Sequence, residues 1–305
     1  MKNNKMPAKT YTLEEYRSVG QEFYDKLRFL TFPVAIKYIY DDSEIPEVTG
    51  IIQPSKINQR ISLCRAYSIV RRWGRTVVMK FEDNHCITSS FVHLWEPMPI
   101  KQILKSQIIS GYHKNARAEM NIQLEFAKKF KISDREKLKG QIGFVASPLN
   151  NTSIVPDVIL CYGNPAQITH VIHALTYEGR NLMTDQAFMG YGESCILGAL
   201  TTFITNKPQI VLPGEGDRTF GMTTEDEMAI GIPAKKLFYI MKNLFKSAGK
   251  LNFGMPSKFM MLDVPFPMGP PAFRFMYRQH KRLKKGRSLD KTKNKKKKNK
   301  KQTIK

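Results

Sequence analysis

The chain has 305 residues, of which 42% are hydrophobic and 10% aromatic, a composition typical of globular rather than disordered proteins. No apolar run approaches the roughly 20 residues that a membrane-spanning helix needs, and the N-terminal residues lack the apolar centre of a signal peptide. The four cysteines are too few and too scattered for a disulfide scaffold. We therefore expect a protein of the reducing cytoplasm.

The formal net charge of +23 is concentrated at the C-terminus. Residues 281–305 contain 12 Lys, 2 Arg and 1 Asp, a formal +13. This segment cannot bury enough apolar surface to offset the entropy lost on ordering, so we predict that it is disordered. Its cations would neutralise phosphates, which predicts binding to nucleic acids or other polyanions without recognition of sequence. The alternative is a solvated tail that only improves solubility.

Helical and strand patterns alternate along the rest of the chain, which predicts an α/β or α+β fold built of strand–turn–helix units. We expect a flexible arm over 1–10, one compact mixed domain over 11–280, and the tail over 281–305. The predicted helices cover 13–30, 63–73, 112–130 and 233–248. The predicted strands cover 33–40, 76–81 and 142–147. An ambiguous segment at 86–94 is interpreted as a short helix.

Residues 156–233 contain three strand-to-turn units, whose turns lie at 161–167, 190–195 and 214–218. Apolar runs that end in turns of glycine, proline and acids place polar residues at one edge of a sheet, where ligand sites are common. The three turns therefore predict a pocket for an unidentified cofactor or a small anion, which exposed backbone N–H groups would hold. The binding residues predicted on these turns are Tyr162, Asn164, Gln167, Gly190, Gly192, Asp217 and Arg218.

Local turn chemistry is the alternative role for these residues. The sequence around Asn164 would end a strand and begin a helix without any ligand. Asp217 and Arg218 would likewise form a turn held by local hydrogen bonds.

Cys195 is the candidate catalytic residue. It follows a glycine-rich turn and begins an apolar helical run, so we expect it in the first turn of a helix. There the unpaired backbone N–H groups and the helix dipole favour a thiolate. The alternative is a small buried core residue, which is the usual role of a free cysteine.

Cys64 and Cys86 are candidate metal or cofactor ligands together with Cys195. No Cys-x-x-Cys pair is present, so spacing alone gives no zinc or iron–sulfur signature. Cysteines distant in sequence can still converge in the fold, and Arg65 beside Cys64 would favour a thiolate there. Separate buried thiols are the alternative, and we expect Cys161 in the core.

Several motifs occur in one order along the chain: PDVILCYGNPAQ at 156–167, GESC at 192–195, LPGEGDR at 212–218, EDEM at 225–228 and GIP at 231–233. Together with PVAIK at 33–37 and CRA at 64–66 they resemble the prokaryotic family called domain of unknown function 169. The resemblance covers about residues 13–278. It implies a cytoplasmic bacterial or archaeal protein but no particular activity, and Cys64, Cys86 and Cys195 lie where the family's cysteines are expected.

Two function hypotheses follow. In the first, the protein binds a cofactor or small anionic ligand and uses cysteine thiol chemistry for redox or ligand transfer. In the second, it is a non-catalytic module that senses a ligand or joins an assembly. The sequence supplies no matched nucleophile–base pair, so whether the protein is an enzyme stays open.

Overall fold

The structure, a computed structural model, describes residues 10–95, 113–129, 136–179, 192–246, 278–281 and 283. The chain divides into two compact units, Met1–Leu244 and Phe245–Lys305. The sheet and the helices described below belong to the first unit. In the second, residues 278–281 and 283 are helical and exposed. None of the helices in the described ranges is long and apolar enough to cross a membrane.

A six-stranded antiparallel sheet forms the centre of the first unit. Its strand order is β2-β3-β1-β4-β6-β5, and every neighbouring pair is antiparallel. The mixed helix-and-sheet class predicted from the sequence is confirmed, and the antiparallel pairing assigns it to the α+β type. The strands are β1 (Val34–Ile39), β2 (Val77–Lys80), β3 (Gly143–Pro148), β4 (Val158–Gly163), β5 (Gln209–Val211) and β6 (Met228–Pro233).

Helices cover both faces of this sheet. Side chains alternate along each strand, so residues such as Ile36 and Leu160 share one face, where they form a core cluster with α2 and a π-helix. Helices α1, α5 and α8, whose buried residues lie outside that cluster, cover the other face. The helices are α1 (Leu13–Leu27), α2 (Leu63–Trp73), α3 (Ile87–Val92), α4 (Ala116–Lys129), α5 (Pro165–Thr176), the π-helix (Glu193–Thr201) that continues as α6 (Thr202–Thr205), α7 (Glu215–Thr219) and α8 (Lys236–Asn243).

The predicted helix over 63–73 is confirmed at both ends. The Ser62 side chain accepts a hydrogen bond from the backbone N–H of Arg65, which caps the N-terminus. Gly74 follows the last turn with φ +65°, a left-handed conformation that glycine adopts without strain.

The predicted helix over 233–248 is wrong at its N-terminus, and strand β6 was not predicted. Pro233 is the last residue of β6, where it is paired with Val158, and α8 begins at Lys236. Proline is tolerated at the end of a strand as well as in the first turn of a helix. Pro233 alone therefore did not show whether this position ends a strand or begins a helix.

The π-helix packs directly on β6 through two glycines. A Cβ atom on Gly231 would lie 1.8 Å from the carbonyl oxygen of Gly198 and 2.5 Å from Oγ1 of Thr202. This close approach requires glycine at position 231, because the nearest atom belongs to the backbone and cannot rotate away. The contact holds the π-helix against the sheet.

We predict that Gly231→Ala destabilises the fold by about 1–3 kcal/mol, the cost typical of overpacking a core. Gly216→Ala is the matched control, because its Cβ would meet the nearest atom, Sγ of Cys64, at an ordinary 3.5 Å. Urea unfolding of both variants measures the difference. Equal midpoints for the two variants would show that the π-helix is not held at this contact.

Candidate functional site

Two of the three turns predicted to form a pocket lie at the same edge of the sheet. Strands β4 and β5 are both antiparallel to β6, so they run in the same direction and their C-terminal ends meet at one edge. The turn after β4 contains Gly163, and the turn after β5 leads into α7. The third turn ends at the π-helix, which packs on β4, β5 and β6.

Two free cysteines come together beside this edge. Cys64 is the second residue of α2, and Cys195 is the third residue of the π-helix, as the sequence predicted for its first turn. They are 7% and 3% exposed, and the side chain of Cys195 is close enough to Cys64 to be the largest cause of the raised pKa of the Cys64 thiol. The Cys195 thiol also donates to the carbonyl oxygen of Gly192 at 3.6 Å. The fold therefore presents a buried pair of thiols.

The carboxylate of Asp217, from α7, lies beside this pair. Its Oδ2 accepts hydrogen bonds from the backbone N–H groups of Ser194, at 3.2 Å, and Gly214, at 3.3 Å. Burial raises the pKa of Asp217, while the donors of Ser194, Gly214 and Cys64 act in the opposite direction. A buried carboxylate with a raised pKa is a stronger base than an exposed one, so Asp217 can accept a proton from the neighbouring thiol.

Cys64 itself is held as a thiol rather than a thiolate. The interaction with the Cys195 side chain, burial and the charge of Asp217 all raise the pKa of Cys64. The thiolate predicted from the neighbouring Arg65 is not formed, because that guanidinium lies 5.0 Å over the Trp73 ring and its Nη1 donates to Sδ of Met222 at 3.1 Å. Cys64 therefore needs a base to react, and Asp217 is in place.

Cys86 lies within electrostatic range of the thiol pair. Burial and then the charge of Cys195 raise its pKa, and its charge in turn raises that of Cys64. In the described ranges, no group of three or more His, Cys, Asp or Glu side chains is arranged to hold a metal ion. The metal role of Cys64, Cys86 and Cys195 therefore stays a prediction. Cys161 is fully buried, as expected. It lies between Leu160 and Tyr162 in β4, so alternation of side chains places it on the opposite face of the sheet from these two residues and Cys195.

A buried ion pair between Arg71 and Glu227 lies next to Tyr162. The guanidinium of Arg71 donates to both carboxylate oxygens of Glu227, at 2.7 Å and 3.2 Å, and lies 4.1 Å over the ring of Tyr162. It also donates to the carbonyl oxygens of Gly221 and Met222. Arg71 thus joins α2, the loop before β6 and the end of β4.

The sequence reasoning missed Arg71 and the partner role of Glu227. Arg71 is eight residues after Leu63 and four after Tyr67, so it lies on the buried face of α2. A charged residue at such a position requires a buried partner. That spacing is the signal that would have identified Arg71, whereas its partner Glu227 could not be selected from the 26 acidic residues of the chain.

The polar groups of two other predicted ligand-binding residues take part in the fold. Asn164 and Gln167 cap the N-terminus of α5 reciprocally, and Gln167 also donates to the carbonyl oxygens of Leu27 and Arg28. The structure thus shows turn chemistry for both. Tyr162 is 4% exposed and lies beneath Arg71.

The remaining predicted ligand-binding residues lie on the other two turns. Gly192 precedes the π-helix with φ +75°, and Gly190 lies outside the described residues. Nη1 of Arg218 donates to the carbonyl oxygen of Thr224 at 3.0 Å, again a local hydrogen bond. Of the predicted residues that the structure describes, Asp217 lies beside the thiol pair and Gly192 accepts a hydrogen bond from the Cys195 thiol.

A surface groove of about 980 Å³ lies apart from these residues. Four of its charged side chains form ion pairs: Lys80 with Asp42 at 2.5 Å and Lys37 with Glu44 at 3.9 Å. It contains neither a thiol nor one of the predicted ligand-binding residues. We therefore place the candidate site at the thiol pair rather than in the groove.

Comparison with known proteins supports a family but no activity. No curated protein and no solved structure matches the chain. The model of the family DUF169, described as "Uncharacterised ArCR", matches residues 22–243, which include all of the thiol-pair residues. The suspected resemblance is thereby confirmed, and the chain belongs to the domain of unknown function 169 family.

Proposed function

We propose that Cys64 and Cys195 form a dithiol–disulfide centre that exchanges two electrons with a small-molecule disulfide. The observation that carries this proposal is the proximity of two free, buried thiols, since the Cys195 side chain is the largest cause of the raised pKa of Cys64. Joining them would require the two sulfurs to approach to the S–S bond length of about 2.05 Å. The geometry supports thiol redox chemistry better than simple capture of an anion, because the predicted anion ligands are engaged in the fold.

The first step is attack by Cys64, which is the more exposed of the two thiols. Asp217 takes the thiol proton as Sγ of Cys64 attacks one sulfur of the small disulfide. A mixed disulfide forms on Cys64, the S–S bond of the small molecule breaks, and the departing thiolate takes the proton from Asp217.

The second step closes the protein disulfide. Sγ of Cys195 attacks Sγ of Cys64, the mixed disulfide breaks, and the Cys195 proton passes to the second departing thiolate through Asp217. In total, two protein thiols are oxidised to one disulfide, and one small disulfide is reduced to two thiols. The reverse sequence oxidises a small dithiol.

The test is a thiol count on the unfolded chain after incubation with oxidised glutathione. We predict that the wild-type chain falls from four titratable thiols to two, whereas Cys64→Ser and Cys195→Ser cannot form the internal disulfide. Asp217→Asn should slow the loss by about 10²–10⁴-fold, the usual contribution of a general base. Cys161→Ala is the matched control and should lose two of its three thiols at the wild-type rate.

Retention of all four thiols in folded wild-type protein would contradict the proposal. Turnover with an excess of a small dithiol and a small disulfide then separates the two function hypotheses. Repeated cycles support an enzyme, and one stoichiometric oxidation that stops supports a sensor.

A further inference from the structure

The surface groove that lies apart from the thiol pair has the size of a ligand site. Its volume of about 980 Å³ is within the roughly 300–1,000 Å³ typical of small-molecule sites. Strands β1 and β2 and the segments 42–47, 53–56 and 153–155 contribute residues to its walls. Several of these residues are exposed, so a ligand can reach the groove from solvent. The thiol chemistry proposed above makes no use of it.

Apolar side chains form one part of this groove. Ile154 is 5% exposed and belongs to a small core cluster with residues of β1, β2 and β3, against which Ile45 also packs. Pro46 and Val155 line the groove beside them, and Val155 is 44% exposed. An apolar group of a ligand that packed on these side chains would leave water, which favours binding. The rigid cluster beneath them keeps this surface in place.

The charges that line the groove sum to zero. Three are lysines and three are acids, and two of each form the ion pairs described above. The remaining two, Lys56 and Glu47, are exposed, and neither has an ion-pair partner within the part of the chain that the structure describes. A lone anion or a lone cation would match one of these charges and leave the other unmatched. The groove therefore suits a ligand that carries both charges.

A buried carboxylate fixes the backbone next to Lys56. Asp83 is fully buried, and its Oδ1 accepts a hydrogen bond from the backbone N–H of Ser55 at 2.7 Å. Its Oδ2 accepts from the backbone N–H of Lys80 at 2.9 Å and from the side-chain amide of Gln53 at 3.4 Å. Because the backbone on one side of Lys56 is held in this way, ordering it costs little when a ligand binds.

We propose that this groove binds a short apolar peptide in its zwitterionic form. The C-terminal carboxylate accepts from the ammonium of Lys56, the N-terminal ammonium donates to the carboxylate of Glu47, and apolar side chains pack on Ile154 and Val155. A free amino acid carries the same two charges, but the groove is larger than one amino acid, which favours a peptide of two or three residues. Binding is independent of the proposed redox function, so a Cys64→Ser chain should bind equally well.

The test is calorimetric titration with leucyl-leucine and with leucyl-leucyl-leucine. We expect saturable binding at one site. Acetylation of the N-terminus or amidation of the C-terminus of the tighter peptide should each weaken binding about two- to fivefold, as expected for one exposed charge pair. Free leucine is the third probe, and it should bind more weakly than either peptide because it reaches fewer of the groove's contacts.

Substitution of the two unpaired charges assigns each end of the peptide. Lys56→Gln should weaken binding of the free peptide to the level of its amide and leave binding of the amide unchanged. Glu47→Gln should make the free and acetylated peptides bind equally. Lys56→Arg keeps the charge and should keep the preference for a free C-terminus. Lys26→Gln is the matched control, because Lys26 pairs with Glu22 on α1, outside the groove, and its loss should leave binding unchanged.

Folding does not confound these variants. Replacing an exposed charge that has no partner should leave the unfolding midpoint of the ligand-free chain unchanged. A lowered midpoint for Lys56→Gln or Glu47→Gln would show that the charge is already engaged in the fold, which overturns the proposal. Absence of saturable binding by both peptides at millimolar concentration would also overturn it, as would equal binding of the free and blocked peptides or tighter binding of free leucine.

Discussion

Glu227→Gln should destabilise the protein by about 3 kcal/mol. The substitution leaves the fully buried guanidinium of Arg71 without a compensating charge, and removing one partner of a buried pair typically costs about 3–5 kcal/mol. We expect the low end of that range because the amide oxygen still accepts one hydrogen bond. Thermal unfolding should show a midpoint lowered by about 6–12 °C for a chain of this length.

Glu225→Gln is the matched control, because Glu225 is exposed and its loss should change the midpoint little. The pH dependence gives a second check. Burial alone would raise the pKa of Glu227, but its hydrogen bond and charge interaction with Arg71 lower it. Because the pKa of Glu227 is lower in the folded than in the unfolded state, the ion pair contributes its full stability at pH values above the ordinary pKa of 4.5. This stability is lost as the pH falls through the lowered pKa of the folded state. Equal stability of the two variants at pH 7 would show that the ion pair is not formed.

Truncation after Arg278 should remove most of the affinity for heparin and nucleic acid. Residues 281–305 carry a formal +13 of the total +23, and six to ten phosphate contacts change affinity about 10³–10⁵-fold between 50 and 200 mM salt. We therefore propose that this segment binds polyanions through counterion release. The tail lacks aromatic residues, so no preference for single strands is expected.

The measurement is the salt concentration that elutes each chain from heparin, together with the salt dependence of DNA binding. A full-length chain with Lys295 to Lys298 replaced by Gln should lie between the wild-type and truncated chains. The truncated chain should still form the Cys64–Cys195 disulfide. An undiminished salt slope after truncation would place the basic site elsewhere on the chain.

Apart from Lys281 and Leu283, the tail lies outside the described residues, so its predicted disorder stays a prediction. The cytoplasmic location also stays a prediction.

Local signals in the sequence predicted the elements whose ends are fixed by local chemistry. Helix α2 shows this most clearly, because a serine cap and a left-handed glycine mark its two ends. Strand β6 was missed because its glycine and proline are explained by packing against other elements and not by a local strand pattern. Gly231 is needed where the π-helix approaches, and glycine and proline in a short apolar run are not typical of a strand.

The candidate site was predicted in part. A position for Cys195 in the first helical turn and a possible meeting with Cys64 both followed from the sequence. The protonation of Cys64 did not, because it depends on burial and on Asp217, which is 153 residues away in sequence.

Peptide mapping of the oxidised protein tests the central claim most directly. The wild-type chain, treated with oxidised glutathione, alkylated and digested without reduction, should give a disulfide-linked pair of peptides containing Cys64 and Cys195. Cys86 and Cys161 should be recovered in alkylated form. A linked pair that joins Cys86 to either partner, or full alkylation of both Cys64 and Cys195, would contradict the claim that these two thiols form the redox centre.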